Sequence, residues 1–399
     1  MKSFSIVCMA VCVCVNSLAN AAGGYVWPNW RGPAHDGKTA ESISNTAALE
    51  AGRVLWRGNV GDGYATVSVV DNRLYTMGND GRRDTVYCLD ALTGEEVWSF
   101  SYDCRKGSHE GPRGTPAVYE GIVYTYSREG HVHALNSETG RMLWMVDVTG
   151  INGRAPRWGF SGSPRILGDM LLLNSGKHGL ALDRRSGEVR WASPAGVSGY
   201  ATAVPYGEND NRLVIFGERA AYGVNAVNGE EVWSYEWITS YNVNAADPIV
   251  VGNQVFISSG YNKGAALLDV TGDNVRVIWE HNRMRNQFSS SILWDDDTLI
   301  GIDGNTGRGE LVAMEFATGN ERWRAGLRFG TVLGTGDQVL VLNERGNLFL
   351  GTPGADAFLV QARSEESVLG NRCWIMPVLV NGLLYCRNEK GDLVCLDLR

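Results

Sequence analysis

Five arginines, Arg113, Arg157, Arg283, Arg285 and Arg372, each sit in a loop close to the start of a strand-like run. A planar guanidinium fork matches the geometry of carboxylate and phosphate. Trp158, Tyr200 and Trp374 accompany them, and so do His109, Asn242, Asn244 and Asn286. Aromatic faces suit flat rings or sugars. The set reads as a ligand-binding mouth for an anionic or carboxylated molecule. A structural reading competes with it: Arg113 and Arg157 bridge neighbouring units or cap loop carbonyls, and Trp158 and Trp374 plug a core.

Patterns for catalysis are thin. The chain has six His, of which His109, His131, His133 and His178 fall in loops or hairpins. No H-E-x-x-H or paired-His metal spacing occurs, and no G-x-S-x-G nucleophile elbow. Asp90, Asp183, Asp269 and Asp397 recur at one position ahead of a turn, where they read as turn caps. No catalytic residue and no metal ligand is assigned.

A repeat must position these loops. The phrase His133–Trp144, HALNSETGRMLW, is a strand, a Thr-Gly turn and a second strand closed by Trp. It returns five times, ending at Trp98, Trp191, Trp233, Trp279 and Trp323. The turn glycines fall at 94, 140, 187, 229, 272 and 319, so the period is 42–47 residues. Four strand-like runs fill each unit. In one unit they are Thr115–Tyr119, Ile122–Ser127, His131–Asn136 and Arg141–Val146. Four short antiparallel strands at this period are the signature of a β-propeller blade.

A seventh unit follows Val339, and an eighth begins at Trp374 but ends one strand short. Val54–Trp56, left over at the start, supplies that strand. The expected fold is therefore all-β, an eight-bladed propeller of four-stranded antiparallel blades with the ring closed by an N-terminal strand. Seven blades is the fallback. The propeller spans 53–399, and 22–52 form an ordered arm, packed on the propeller's side, and a linker. The loops from the last strand of one blade to the first of the next share one face near the axis. They include Gly63-Tyr64, His109–Arg113, Arg154–Ser161, Gly199-Tyr200, Tyr241–Asn244 with Asp247, Arg283–Gln287 and Asn371–Trp374.

Lys2, the apolar run Ile6–Val15 and Ala19-Asn20-Ala21 read as a cleaved export signal cut after Ala21, covering 1–21. The expected location is periplasmic or secreted. No later stretch is apolar for long enough to span a bilayer. The formal net charge of −8 argues against a nucleic-acid partner. A monomer is expected. Five cysteines follow the signal: Cys88, Cys104, Cys373, Cys386 and Cys395. Cys88 and Cys395 read as small buried repeat positions. Cys386 and Cys395 flank a hairpin turn, where a disulfide is a second option.

The phrase A-L-D-x-x-T-G-x-x-x-W resembles the repeat of the pyrroloquinoline-quinone-like (PQQ-like) propeller superfamily over roughly 53–399. Trp27–Pro33, Met284–Ser290 and Cys386–Asp397 look like segments of secreted planctomycete-type members. Two branches carry functional implications. One is the lipoprotein propeller of the barrel-assembly machinery, which implies a non-catalytic scaffold with a protein partner. This chain lacks that branch's lipid-attachment Cys. The other is the quinoprotein alcohol dehydrogenases, which implies PQQ with calcium on the axis and oxidation of alcohols or sugars. Their adjacent Cys-Cys pair is absent here. The expectation is an exported binding or scaffold module for a protein partner or a small anionic ligand. The alternatives are a PQQ-dependent oxidoreductase and an acidic-glycan-binding protein.

Overall fold

A computed structural model describes residues 24–105, 107–272 and 274–399. The export signal expected over 1–21 lies outside the described residues. Eight four-stranded antiparallel sheets form the eight blades of a propeller. Each blade runs from an innermost strand A to an outermost strand D. In blade 2 these are Ala117–Tyr119, Ile122–Tyr126, His131–Asn136 and Met142–Asp147. Tight turns joining them carry Gly and Asn/Asp, which supply the left-handed backbone such hairpins need. Asp90 accepts from the Leu92 and Thr93 amides, and Asp183 from Arg185 and Ser186, so these carboxylates cap their turns.

Blade 8 takes strands A to C from Val378–Val380, Leu383–Arg387 and Asp392–Asp397. Its strand D is Val54–Asn59, paired antiparallel to Asp392–Asp397. The two ends of the chain thus share one sheet, and that pairing closes the ring and leaves no open seam.

Every strand D shifts register just ahead of the closing position. A β-bulge there re-aims one side chain. In seven blades that side chain is Trp: Trp56, Trp98, Trp144, Trp191, Trp233, Trp279 and Trp323. Most of the indoles reach the next blade. Trp98 Nε1 donates to Ser137 O at 2.9 Å, Trp191 to Ala226 O at 2.9 Å and Trp323 to Gly354 O at 2.9 Å. For Trp56, Trp98, Trp144, Trp191 and Trp279 the ring also lies on the turn glycine of that blade. At Gly140, φ is +69° and an added Cβ would stand 2.6 Å from the Trp98 ring. Only glycine satisfies both conditions.

Burial follows the same joints. Apolar residues form separate clusters between successive blades. The largest runs through blades 7, 8 and 1 and takes in Trp27, Ile43, Ala48 and Leu49 of the arm. Blade 7 has Ala362 at the Trp position. The short helix Thr46–Glu50 packs against that strand D, Phe358–Arg363, and brings Leu49 into the gap.

The arm does more than lie on the propeller's side. Trp27 bridges Val69 of blade 1, and Pro28 O accepts from the Val118 amide of blade 2. Lys38-Thr39 then pairs in parallel with Gly334-Thr335 of blade 7. The arm therefore crosses the axis, on the side away from the loops that join strand D to strand A.

The five described cysteines are free and buried. Cys386 pairs with Val394 and Cys395 with Tyr385, so the two sulfurs face opposite sides of the sheet. That excludes a hairpin disulfide. Burial pushes the Cys88 thiol up to about 11 and those of Cys373 and Cys395 up to about 12, which leaves them unreactive.

The indole joint predicts a specific cost. Trp98→Ala removes a nearly buried ring and its interblade hydrogen bond, and should lower stability by about 3–5 kcal/mol in urea denaturation. A loss under about 1 kcal/mol would contradict the assigned role.

Candidate functional site

The inner ends of blades 1 to 6 are joined by a chain of hydrogen bonds around the axis. The Thr66 amide donates to Thr115 Oγ1, Thr115 to Ser163 Oγ and Ser163 to Thr202 Oγ1. The Thr202 amide donates to Asp247 Oδ1 at 2.8 Å, and the Asp247 amide to Ser290 Oγ at 2.9 Å. Each acceptor sits just ahead of a strand A. Four are hydroxyls and one is a carboxylate.

Above this ring lies a well of about 270 Å³. Tyr64, Trp158, Tyr200 and Trp374 wall it, with Tyr261 and Phe288 completing the circuit. Arg113 and His109 also line it, as do Ser163, Thr202 and Asp247. Trp30 closes it from the arm, donating Nε1 to Asp247 Oδ2 at 2.5 Å. The axial channel is thereby a blind well, open at the loop face and closed by the arm.

Charge is arranged along the axis. Arg113 is half-buried, lies 5.6 Å over the Tyr64 ring and donates to His109 O at 2.7 Å. Burial and the Arg128 charge pull its guanidinium down to about 10. Burial, then Arg113 and Arg372, hold the His109 imidazole below its ordinary value. Burial raises the Asp247 carboxyl, while the charges of Arg31 and Arg165 and the Thr202 and Trp30 hydrogen bonds oppose the rise. Burial also pushes the Tyr200 phenol up to about 12, so it stays a neutral donor and acceptor at pH 7.

Around the rim, guanidinia stack on rings. Arg157 lies 5.3 Å from both the Trp158 and Tyr241 rings. Arg372 lies 5.1 Å from the Trp374 ring and 3.4 Å from Glu389. Cation–π contact of this kind holds a guanidinium in place with its edge still open to a ligand.

The structure sorts the candidate residues. His109, Arg113, Trp158, Tyr200 and Trp374 line the well. Arg157 and Arg372 stand behind its aromatic walls. The other five serve the fold or the outer surface. Arg285 makes a two-pronged ion pair with Asp303. Asn244 is buried and binds the carbonyls of Gly217, Glu218 and Trp237. Asn286 binds Ile302 O, and Asn242 binds Glu218. Arg283 is exposed outside the well.

The sequence placed Tyr64 and Asp247 in the mouth loops without marking them as ligand-binding, and it did not single out Trp30, Tyr261 or Phe288. Asp247 had a usable signal, since Thr115-Pro116, Ser163-Pro164 and Asp247-Pro248 align ahead of strand A. Tyr261 sits between strands B and C of blade 5, a turn that shares the mouth face.

A family model described as "Outer membrane protein assembly factor BamB" (PQQ_2) matches residues 40–108 and 82–325. The chain belongs to this family. BamB of Nitrosomonas eutropha is 25% identical over 223 residues, 52% of this chain and 50% of that protein. The chain spans about a sixth to under two thirds of the length of the curated relatives it matches. The crystal structure of BamB from Moraxella catarrhalis superposes with TM-score 0.62 at 16% identity, covering 85% of this chain and 97% of that one. Quinohemoprotein alcohol dehydrogenase ADHIIG from Pseudomonas putida gives 0.67 at 14% identity, covering 94% and 80%. At these identities the likeness is one of fold.

The residues do not fit PQQ held by calcium. Calcium takes about six to eight oxygen ligands. Asp247 is the one carboxylate lining the well, which falls short of such a set. Among the described residues, no group of three or more His, Cys, Asp or Glu is placed to hold a metal ion.

The His109 surroundings can be tested by NMR titration. Its pKa should lie below about 6.5 and rise in Arg113→Gln, which removes a named cause. The unfolded chain then takes this proton first, so the group subtracts stability as pH falls through about 6.5. A wild-type value at or above 6.5 would refute the placement.

Proposed function

We propose that this BamB-family propeller is a non-catalytic binding module whose axial well seats an acidic ligand carried on a flat or apolar body. One observation carries the reading: five of the residues chosen for anion and ring binding converge on a single blind well. Aromatic walls give an apolar body large contact area. Arg113 at the rim, backed by Arg157 and Arg372, offers charge to a carboxylate. The chain is exported in this reading, with residues 1–21 as its leader, and works in the periplasm or outside the cell.

A second reading, a protein scaffold, rests on a different surface. Strand D of blade 2, Met142–Asp147, exposes Met142, Leu143 and Met145 and carries no Lys or Arg. Other outer strands are interrupted by charge, such as Arg190 in blade 3 and Arg322 and Arg324 in blade 6. Charge on an edge strand deters pairing with another chain, and blade 2 lacks that protection.

Indole fluorescence tests the first reading, because Trp30, Trp158 and Trp374 line the well. Titration with aryl and sugar carboxylates should change the emission saturably. Arg113→Gln should weaken binding by about 10- to 100-fold, since a hydrogen bond to a charged group contributes about 1.5–3 kcal/mol. Unchanged affinity in that variant would sink the assignment.

A further inference from the structure

This inference rests on the binding reading above and names the ligand's class. From blade 1 to blade 6 each amide of the axial chain is taken by a side chain of the next blade. Thr115, Ser163, Thr202 and Ser290 take it with a hydroxyl. Blade 5 places Asp247 there instead and takes the same kind of bond, from the Thr202 amide. A hydroxyl would serve that bond equally well, so the charge is surplus to the ring's structural need. A buried carboxylate is also costly unless something compensates it.

Nearby cations compensate it only at a distance. Arg31 donates to His35 O, Asp36 O and Ser291 O, all carbonyls. Neither Arg31 nor Arg165 forms an ion pair with Asp247 among the described residues. The partners in contact are neutral: the Trp30 indole and the Thr202 amide. Each carboxylate oxygen retains capacity for a further donor.

The walls point the same way. An acid at the inner end of a well of stacked aromatic faces is the chemistry that recognises an ammonium group, since ring quadrupoles attract cations. At the outer end, Arg113 and the stacked Arg157 and Arg372 suit a carboxylate. The well thus has an anionic floor, an apolar middle and a cationic rim. Its volume of about 270 Å³ suits a small molecule rather than a polymer.

We propose that the well binds a zwitterion of amino-acid or betaine type, with its ammonium group against Asp247 and its carboxylate at Arg113. The orientation is fixed, because the arm leaves the loop face as the entrance. The ammonium end enters first.

Calorimetry with matched probes tests this in the wild-type chain. The probes are L-phenylalanine, its N-trimethyl betaine, 3-phenylpropionate, which lacks the nitrogen, and phenethylamine, which lacks the carboxylate. At pH 7.5 a zwitterion should bind at least about tenfold more tightly than 3-phenylpropionate. Asp247→Asn, checked by circular dichroism and thermal melting, should erase that ratio and leave 3-phenylpropionate affinity within about threefold. Arg113→Gln should weaken both acids and leave phenethylamine unchanged. Equal wild-type affinity for zwitterion and 3-phenylpropionate overturns the proposal while the acidic-ligand reading stands. No saturable binding of any probe overturns both. A zwitterion preference that survives Asp247→Asn overturns the role of Asp247.

Discussion

The ring is held by an indole laid on the next blade's glycine turn. The contact is apolar, and the same side chain donates its N–H to a carbonyl of that turn, so one residue satisfies both needs of a buried joint. Three local features must coincide for it: a bulge that aims the Trp, a glycine with positive φ beneath it, and an acceptor carbonyl in reach. The exceptions show what it does. Trp233 donates to Tyr206 Oη of its own blade at 2.7 Å, and the space at Gly272 is open. Blade 7 has alanine at the Trp position, and the arm's helix brings Leu49 there. The arm is therefore part of the ring's closure as well as a strap across its axis.

With the outer half fixed by the indole joints, the inner loops are free to differ. From blade 1 to blade 6 their backbone is tied by a side-chain relay that asks only for a small acceptor ahead of each strand A. Residues beside that chain can then be chosen for a ligand. Arg31 shows how tightly the arm end is sealed: its guanidinium is buried and faces carbonyls of the arm and of blade 6. Trp30, its neighbour, points the other way and becomes part of the well.

The fold was legible because a repeat multiplies its own signal. The Thr-Gly-x-x-x-Trp phrase fixed the blade period, and the orphan strand ending at Trp56 fixed the closure. The site was legible where side chains leave the strand D to strand A loops toward the axis, as with Arg113, Trp158, Tyr200 and Trp374. It was not legible where a loop side chain turns back. Arg285 and Asn244 share the loops and the residue types, yet one pairs with Asp303 and the other binds three carbonyls. Sequence spacing carries no direction for a side chain. Trp30 was hidden for another reason, because the path of an arm across an axis depends on contacts far apart in the chain.

A net charge of −8 by itself disfavours an acid-binding mouth. Stacking resolves it. Arg157 is held between the Trp158 and Tyr241 rings without any ion pair among the described residues, so its charge is not neutralised by the acidic surface. Arg113 likewise binds carbonyls, which hold it without cancelling its charge. Low-dielectric aromatic walls then carry that field into the well. Because the arm closes the other end, a ligand meets the charges in a fixed sequence, cations first and Asp247 last. A simple anion is held at the rim and gains nothing from going deeper. Depth is of use only to a molecule that also carries a positive end.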